Sequence, residues 1–134
     1  MIGKGVFEIS GSKNVILDSN ILIYLSQKKL SIDEIFEDGK RYNISLVTYM
    51  EILSYNFPSK EEENFIRKLL SLFRVIDINK TIAKEVIELK KKRKIKLPDA
   101  IIVATALVED AVLYTNDKQL HSVEGLEVRY FGYD

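Results

Sequence analysis

Val15-Ile16-Leu17-Asp18-Ser19-Asn20-Ile21-Leu22 is the stretch on which the reading of this chain turns. Its first three residues form a short, continuous apolar run, the pattern of a strand buried on both faces. Asp18, Ser19 and Asn20 then supply three side chains that favour a helix N-cap. Ile21, Leu22 and Leu25 follow at helical spacing. A buried strand feeding a capped helix is how an α/β domain begins.

The same alternation continues downstream. Ser31 and Glu34 have capping-box spacing and open a short helix expected to stop at Gly39. Residues 43–47 read as a second strand, followed by Thr48 and Glu51 as a second capping box. Pro58, Ser59 and Glu62 start a helix whose apolar stripe is Phe65, Ile66, Leu69, Leu70 and Phe73. Residues 74–78 give a third strand, and Ile82, Val86 and Leu89 a helix that runs into the basic stretch 90–94. Leu97-Pro98-Asp99 opens a very apolar helix through Leu107, with the proline in the first turn, where its missing N–H costs nothing. Residues 111–115 and 127–131 are the fourth and fifth strands. Upstream, residues 1–13 are a glycine-punctuated lead-in, either an edge strand at residues 6–9 or vector-derived residues, ahead of a single domain over 14–134. The expectation is a three-layer α/β/α domain around a mostly parallel sheet of about five strands.

Composition narrows the chemistry. A chain of 134 residues, 46% hydrophobic and 30% charged, has the length and balance of one globular domain. Twenty Lys and Arg against twenty Asp and Glu leave a formal net charge of +0, so a polyanion site must be a local patch. The absence of Cys removes disulfides, thiol catalysis and thiolate metal sites. With His121 the only histidine, a two-His zinc site cannot form, and no base at recognisable spacing would activate Ser19 as a nucleophile. No run is long enough to span a membrane and no signal peptide is visible, so a cytoplasmic protein is expected. Oxygen chemistry remains: carboxylates, hydroxyls and hard metal ions.

Four acids carry that chemistry. Each alone has a structural role open to it: Asp18 as a helix cap, Glu51 in a capping box, Asp99 in a first helical turn, Asp117 as the cap of a short turn. Jointly they are harder to excuse. Asp18 and Asp117 follow the first and fourth strands, Glu51 begins the helix after the second, and Asp99 opens the helix preceding the fourth. The carboxyl ends of such strands form the ligand-binding rim of an open α/β sheet. Carboxylates converging there repel by several kcal/mol at an effective dielectric of about 20 unless cations intervene. Oxygen-only ligands favour Mg2+ or Mn2+ over zinc.

The strings Ile16-Leu17-Asp18-Ser19-Asn20, Thr48-Tyr49-Met50-Glu51, Leu97-Pro98-Asp99-Ala100-Ile101-Ile102 and Thr115-Asn116-Asp117 resemble those of PIN domains, and their order and spacing are similar to VapC-type toxins of toxin–antitoxin pairs. The resemblance covers residues 14 to about 131. It implies a Mg2+- or Mn2+-dependent endoribonuclease leaving 5′-phosphate and 3′-hydroxyl ends. Asp18, Glu51, Asp99 and Asp117 would be its catalytic acids, with Asp18, Asp99 and Asp117 on the metal. It further implies a cognate antitoxin and a homodimer. Two departures stand out: residues 1–13 precede the usual start, and Lys118-Gln119-Leu120 stands where many relatives carry a further acid and a Phe. One firmly held ion is therefore expected, with a second arriving only with substrate.

Around that core, Asn20 and Thr115 are candidates to hold the carboxylates in place, and His121 is expected on a surface turn. Lys91, Arg93 and Lys94, within the densest basic run, are candidates to contact substrate phosphates just upstream of Asp99. The tyrosines are read as core or strand residues rather than base-stacking platforms. Two other readings compete: a non-catalytic PIN-like binding module, and an aspartyl-phosphate phosphatase or receiver. A phosphatase of that kind would want a second Asp where Asn20 stands.

Overall fold

Among the described residues the strands run in the same sense, and all four pairings of the sheet are parallel. The computed structural model describes residues 13–132. The elements run β1 (Asn14–Leu17), α1 (Ser19–Ser26), α2 (Ile32–Ile35), β2 (Arg41–Ser45), α3 (Leu46–Leu53), α4 (Lys60–Leu70), β3 (Arg74–Ile76), α5 (Lys80–Lys92), α6 (Leu97–Val108), β4 (Val112–Thr115) and β5 (Val128–Tyr130). A 3-10 turn at Lys118–Ser122 lies between the last two strands. Strand order is β3-β2-β1-β4-β5, so the chain reverses direction across the sheet between β1 and β4.

Alternation along the buried strands sorts side chains to two faces. Val15, Leu17, Val112 and Tyr114 pack with Ile21, Leu22 and Leu25 of α1 and Ile66, Leu69 and Leu70 of α4. Ile16, Ile76 and Leu113 pack on the opposite side with Ile82, Val86 and Leu89 of α5 and with Ala100, Val103 and Ala104 of α6. Two cores flanking one sheet make the three-layer α/β/α arrangement that the apolar runs predict.

Local chemistry explains most element boundaries. Ser31 and Glu34 form a complete capping box at α2. Ser59 caps α4, with Glu61, Glu62 and Glu63 in its first turn and Arg67 and Lys68 in its last, each sign suited to its end of the dipole. Of the stripe expected on α4, Ile66, Leu69 and Leu70 are buried, whereas Phe65 lies toward solvent.

Two expectations shift. The α2 helix ends at Ile35 because Phe36 turns extended, and Gly39 (φ +86°) occupies the following turn instead of the helix end. The second strand lies two residues earlier than expected and α3 starts at Leu46, capped by Ser45, whose hydroxyl accepts the Val47 N–H at 3.1 Å. Thr48 is therefore inside the helix and fully buried, not at a cap. The apolar Leu46 and Val47, which read as strand, are consumed by the first helical turn. The edge strand anticipated at residues 6–9 lies outside the described residues. Among the described residues, no helix is long and apolar enough to cross a membrane.

Candidate active site

The carboxyl ends of β1 and β4 are neighbours in the sheet, with Leu17 opposite Tyr114, and this register sets the site. Asp18 leaves β1 with its backbone N–H donating to the Tyr114 carbonyl at 2.9 Å. Its extended backbone makes it the N-cap of α1, and its Oδ1 accepts the Ser19 N–H at 2.7 Å. From the adjacent strand, the Thr115 hydroxyl donates to Asp18 Oδ2 at 2.6 Å and accepts the Asp117 N–H at 3.0 Å. Thr115 is fully buried and ties two of the acids to one oxygen.

Asp18 is only 6% exposed, and burial pushes its carboxyl up to about 6 from 3.8. The hydrogen bonds from Thr115 and Ser19 pull it down, while the charges of Asp99 and Glu51 push it further up. Asp99, in the first turn of α6, is half-buried and also raised. Desolvation is the largest cause, then the charges of Asp117 and Glu51, against a lowering by Lys96. The four acids drawn from four separate segments thus act on one another electrostatically.

Glu51 reaches the rim from the middle of α3 rather than from a helix start. Its Oε1 accepts the Ser19 hydroxyl at 2.5 Å, and Thr48 Oγ1 lies 3.3 Å from the same hydroxyl. Ser19, which sequence reasoning weighed as a capping residue and dismissed as a nucleophile, holds Glu51 across 32 positions. No local sequence signal marks such a pair. Asp117 caps the 3-10 turn, its Oδ1 accepting the Gln119 N–H at 3.0 Å. Thr115 takes the supporting position anticipated for it. Asn20 is exposed and makes no hydrogen bond to the acids among the described residues. His121 is exposed on the 3-10 turn, its ring 5.6 Å from that of Tyr130.

The basic stretch divides by helix face. Lys90, Arg93, Lys94 and Lys96 line a cavity of about 730 Å3 together with Asp99 and Asp117, whereas Lys91 lies on α5 outside that lining. Arg93 is engaged: its Nη2 donates to the Gln119 carbonyl at 3.3 Å and to the Ser122 hydroxyl at 3.1 Å.

The donor set suits a hard divalent cation by type, since every group is an oxygen and the carboxylates oppose one another's ionisation. Among the described residues, however, no three His, Cys, Asp or Glu side chains are gathered closely enough to hold a metal ion. The acids share a rim without forming a closed cage.

A three-layer domain with carboxylates at the crevice where its parallel sheet reverses is the class that fold and site define. The chain belongs to the PIN-domain family, whose profile matches residues 15–126, and within it the likeness is to VapC-type toxins. A toxin–antitoxin complex from Klebsiella pneumoniae is 31% identical, covering 89% of this chain and 99% of that one at a TM-score of 0.69. VapBC-1 from nontypeable Haemophilus influenzae is 25% identical, covering 87% and 97% at 0.69. VapBC2 from Rickettsia felis, bound to a DNA fragment from its promoter, is 21% identical and shares the fold at 0.75, covering 88% and 98%. Among curated proteins, none matches the chain.

Proposed function

We propose that this chain is a Mg2+- or Mn2+-dependent endoribonuclease and the toxin of a toxin–antitoxin pair. The observation that carries the reading is the gathering of acids at the reversal of a parallel sheet, where Asp18, already raised by burial, also feels Asp99 and Glu51, and Asp99, likewise raised by burial, feels Asp117 and Glu51. Such a cluster is costly for folding and is relieved by a cation. Asp18, Asp99 and Asp117 would hold the ion, with Glu51 as the fourth catalytic acid. When bound, the ion supplies Lewis acidity, a water of lowered pKa and charge neutralisation at a phosphodiester.

The protein's own part is orientation. Thr115 and the Ser19 N–H fix both oxygens of Asp18, so the carboxylate presents one direction to the cleft. The Ser19 hydroxyl holds Glu51 toward the same rim. Asp117 is fixed through its backbone by Thr115 and through its Oδ1 by the 3-10 turn. No His is needed as a general base.

The test is cleavage of a single-stranded RNA with Mg2+ or Mn2+ and with EDTA. Internal cleavage only with the ion supports the reading. Unchanged cleavage in EDTA, or turnover of small phosphate esters but not RNA, overturns it. A cognate antitoxin, a homodimer and a cytoplasmic setting belong to the same proposal. It is supported by relatives whose solved forms are toxin–antitoxin complexes and by exposed Phe65 and Leu72 on and just after α4.

A further inference from the structure

The cavity at the acids is lined by side chains of both charges. Asp99 and Asp117 share its lining with four cations, Lys90, Arg93, Lys94 and Lys96, from the end of α5 and the segment leading into α6. Two of those cations are already occupied. Lys90 Nζ donates to the Ile95 carbonyl at 2.8 Å, and Arg93 is held by Gln119 and Ser122. Lys94 is exposed and has no hydrogen bond or ion pair among the described residues. Lys96 lowers Asp99 through its charge, so its ammonium lies near the acids.

A solvated helix end accounts for Lys94 but not for Lys96. Lys96 is the N-cap of α6 and makes no side-chain cap bond. A cation there faces the positive end of the helix dipole, where an acid or a small polar cap is favoured. Its attraction to Asp99, which lines the same cleft, is the compensation, so the charge of Lys96 belongs to the cleft and not to the helix end. A second anomaly lies in the same lining: the Arg93 Nε is buried and has no hydrogen-bond partner. The cavity falls within the range of about 300–1,000 Å3 typical of ligand sites.

We propose that this cleft binds a backbone phosphate of the substrate strand next to the bond that is cut, on Lys94 and Lys96, with Arg93 as a positioning residue for the 3-10 turn that carries Gln119. The inference rests on the RNA-cleaving reading and names how its substrate lies. Without a cation Asp99 and Asp117 repel phosphate, and with one they take the scissile group, so the phosphate on Lys94 and Lys96 is a phosphodiester beyond the scissile one. Dinucleotides and small esters, which lack it, lose the cleft's contribution.

The experiment measures binding of a fluorescein-labelled single-stranded RNA of about ten nucleotides by anisotropy across a salt series, divalent ions chelated so that no turnover is needed. Two contacts on a single strand contribute about −1.4 to the slope of log affinity on log salt, at about −0.7 each. Lys94→Gln with Lys96→Gln is expected to flatten the slope by that amount. The equal charge change Lys84→Gln with Lys92→Gln, on exposed residues of α5 outside the cleft, is expected to flatten it far less. In the cleavage assay the cleft pair should raise KM several-fold and reduce kcat much less. An unchanged slope in the cleft pair, or equal flattening by both pairs, overturns the proposal. Absence of RNA cleavage by the wild type defeats the nuclease reading instead, and the salt series still decides whether the cleft takes phosphate.

Discussion

The Thr115 hydroxyl donates to Asp18 Oδ2 at 2.6 Å across the β1–β4 seam, joining the ends of two strands that are 97 positions apart in sequence. The same oxygen accepts the Asp117 N–H. Thr115→Val removes both bonds at a fully buried position while nearly preserving volume. Loss of a partner that orients a ligating carboxylate typically costs about 10- to 100-fold in metal affinity or activity. We expect weaker Mn2+ binding in a calorimetric titration and a matching fall in RNA cleavage. Equal Mn2+ affinity in the variant would mean that Asp18 is not a ligand.

Asp99 offers the sharper test of the acids as a group. Asp99→Asn removes a charge that Asp18 feels while retaining a carboxamide of the same shape at the start of α6. RNA cleavage with Mg2+ should fall by orders of magnitude, with an unchanged circular dichroism spectrum. Undiminished cleavage would remove Asp99 from the proposed site.

How legible all this was depended on distance along the chain. Asp18 as a cap, the Ser31–Glu34 box and the proline in the first turn of α6 are decided within four residues, and the sequence reading matches the structure at each. The capping box assigned to Thr48 and Glu51 failed because Ser45, at the end of β2, captured the cap first. Neither the Ser19–Glu51 bond nor the Arg93 contacts could be read, since their partners lie 32, 26 and 29 positions away. Four separate acids could be assigned to one rim only because parallel topology sends all strand ends to the same side.

The raised Asp18 carboxyl has a consequence for stability. Folding lifts it from 3.8 to about 6, so the folded state binds the proton more tightly than the unfolded one. Below a pH of about 4 both states are protonated and the penalty vanishes; above about 6 it is complete, at about 2–3 kcal/mol. Asp18→Asn keeps an acceptor for the Ser19 N–H and carries no charge at any pH. In EDTA, its stability advantage over the wild type in urea melts should open as pH rises through this window. A gap that is flat with pH, or that closes toward neutral pH, would refute the assignment.

Arg93 separates charge from shape. Its guanidinium spans the C-cap of α5 and the 3-10 turn, donating from one nitrogen to the Gln119 carbonyl and the Ser122 hydroxyl. Gln119 in turn donates its N–H to Asp117, so the arginine steadies the turn on which Asp117 depends. Lys at this position keeps the positive charge but cannot reproduce the planar fork. Arg93→Lys should therefore leave the salt dependence of RNA binding close to wild type. Amide exchange at Gln119 and Leu120 should accelerate, and stability should fall by about 1–2 kcal/mol, the range for charge-assisted hydrogen bonds with partial exposure. Cleavage should drop mainly in kcat, because a loosened Asp117 affects the reacting centre more than the strand's approach. Unaltered exchange at the turn together with a flattened salt slope would reverse the assignment and make Arg93 a phosphate contact.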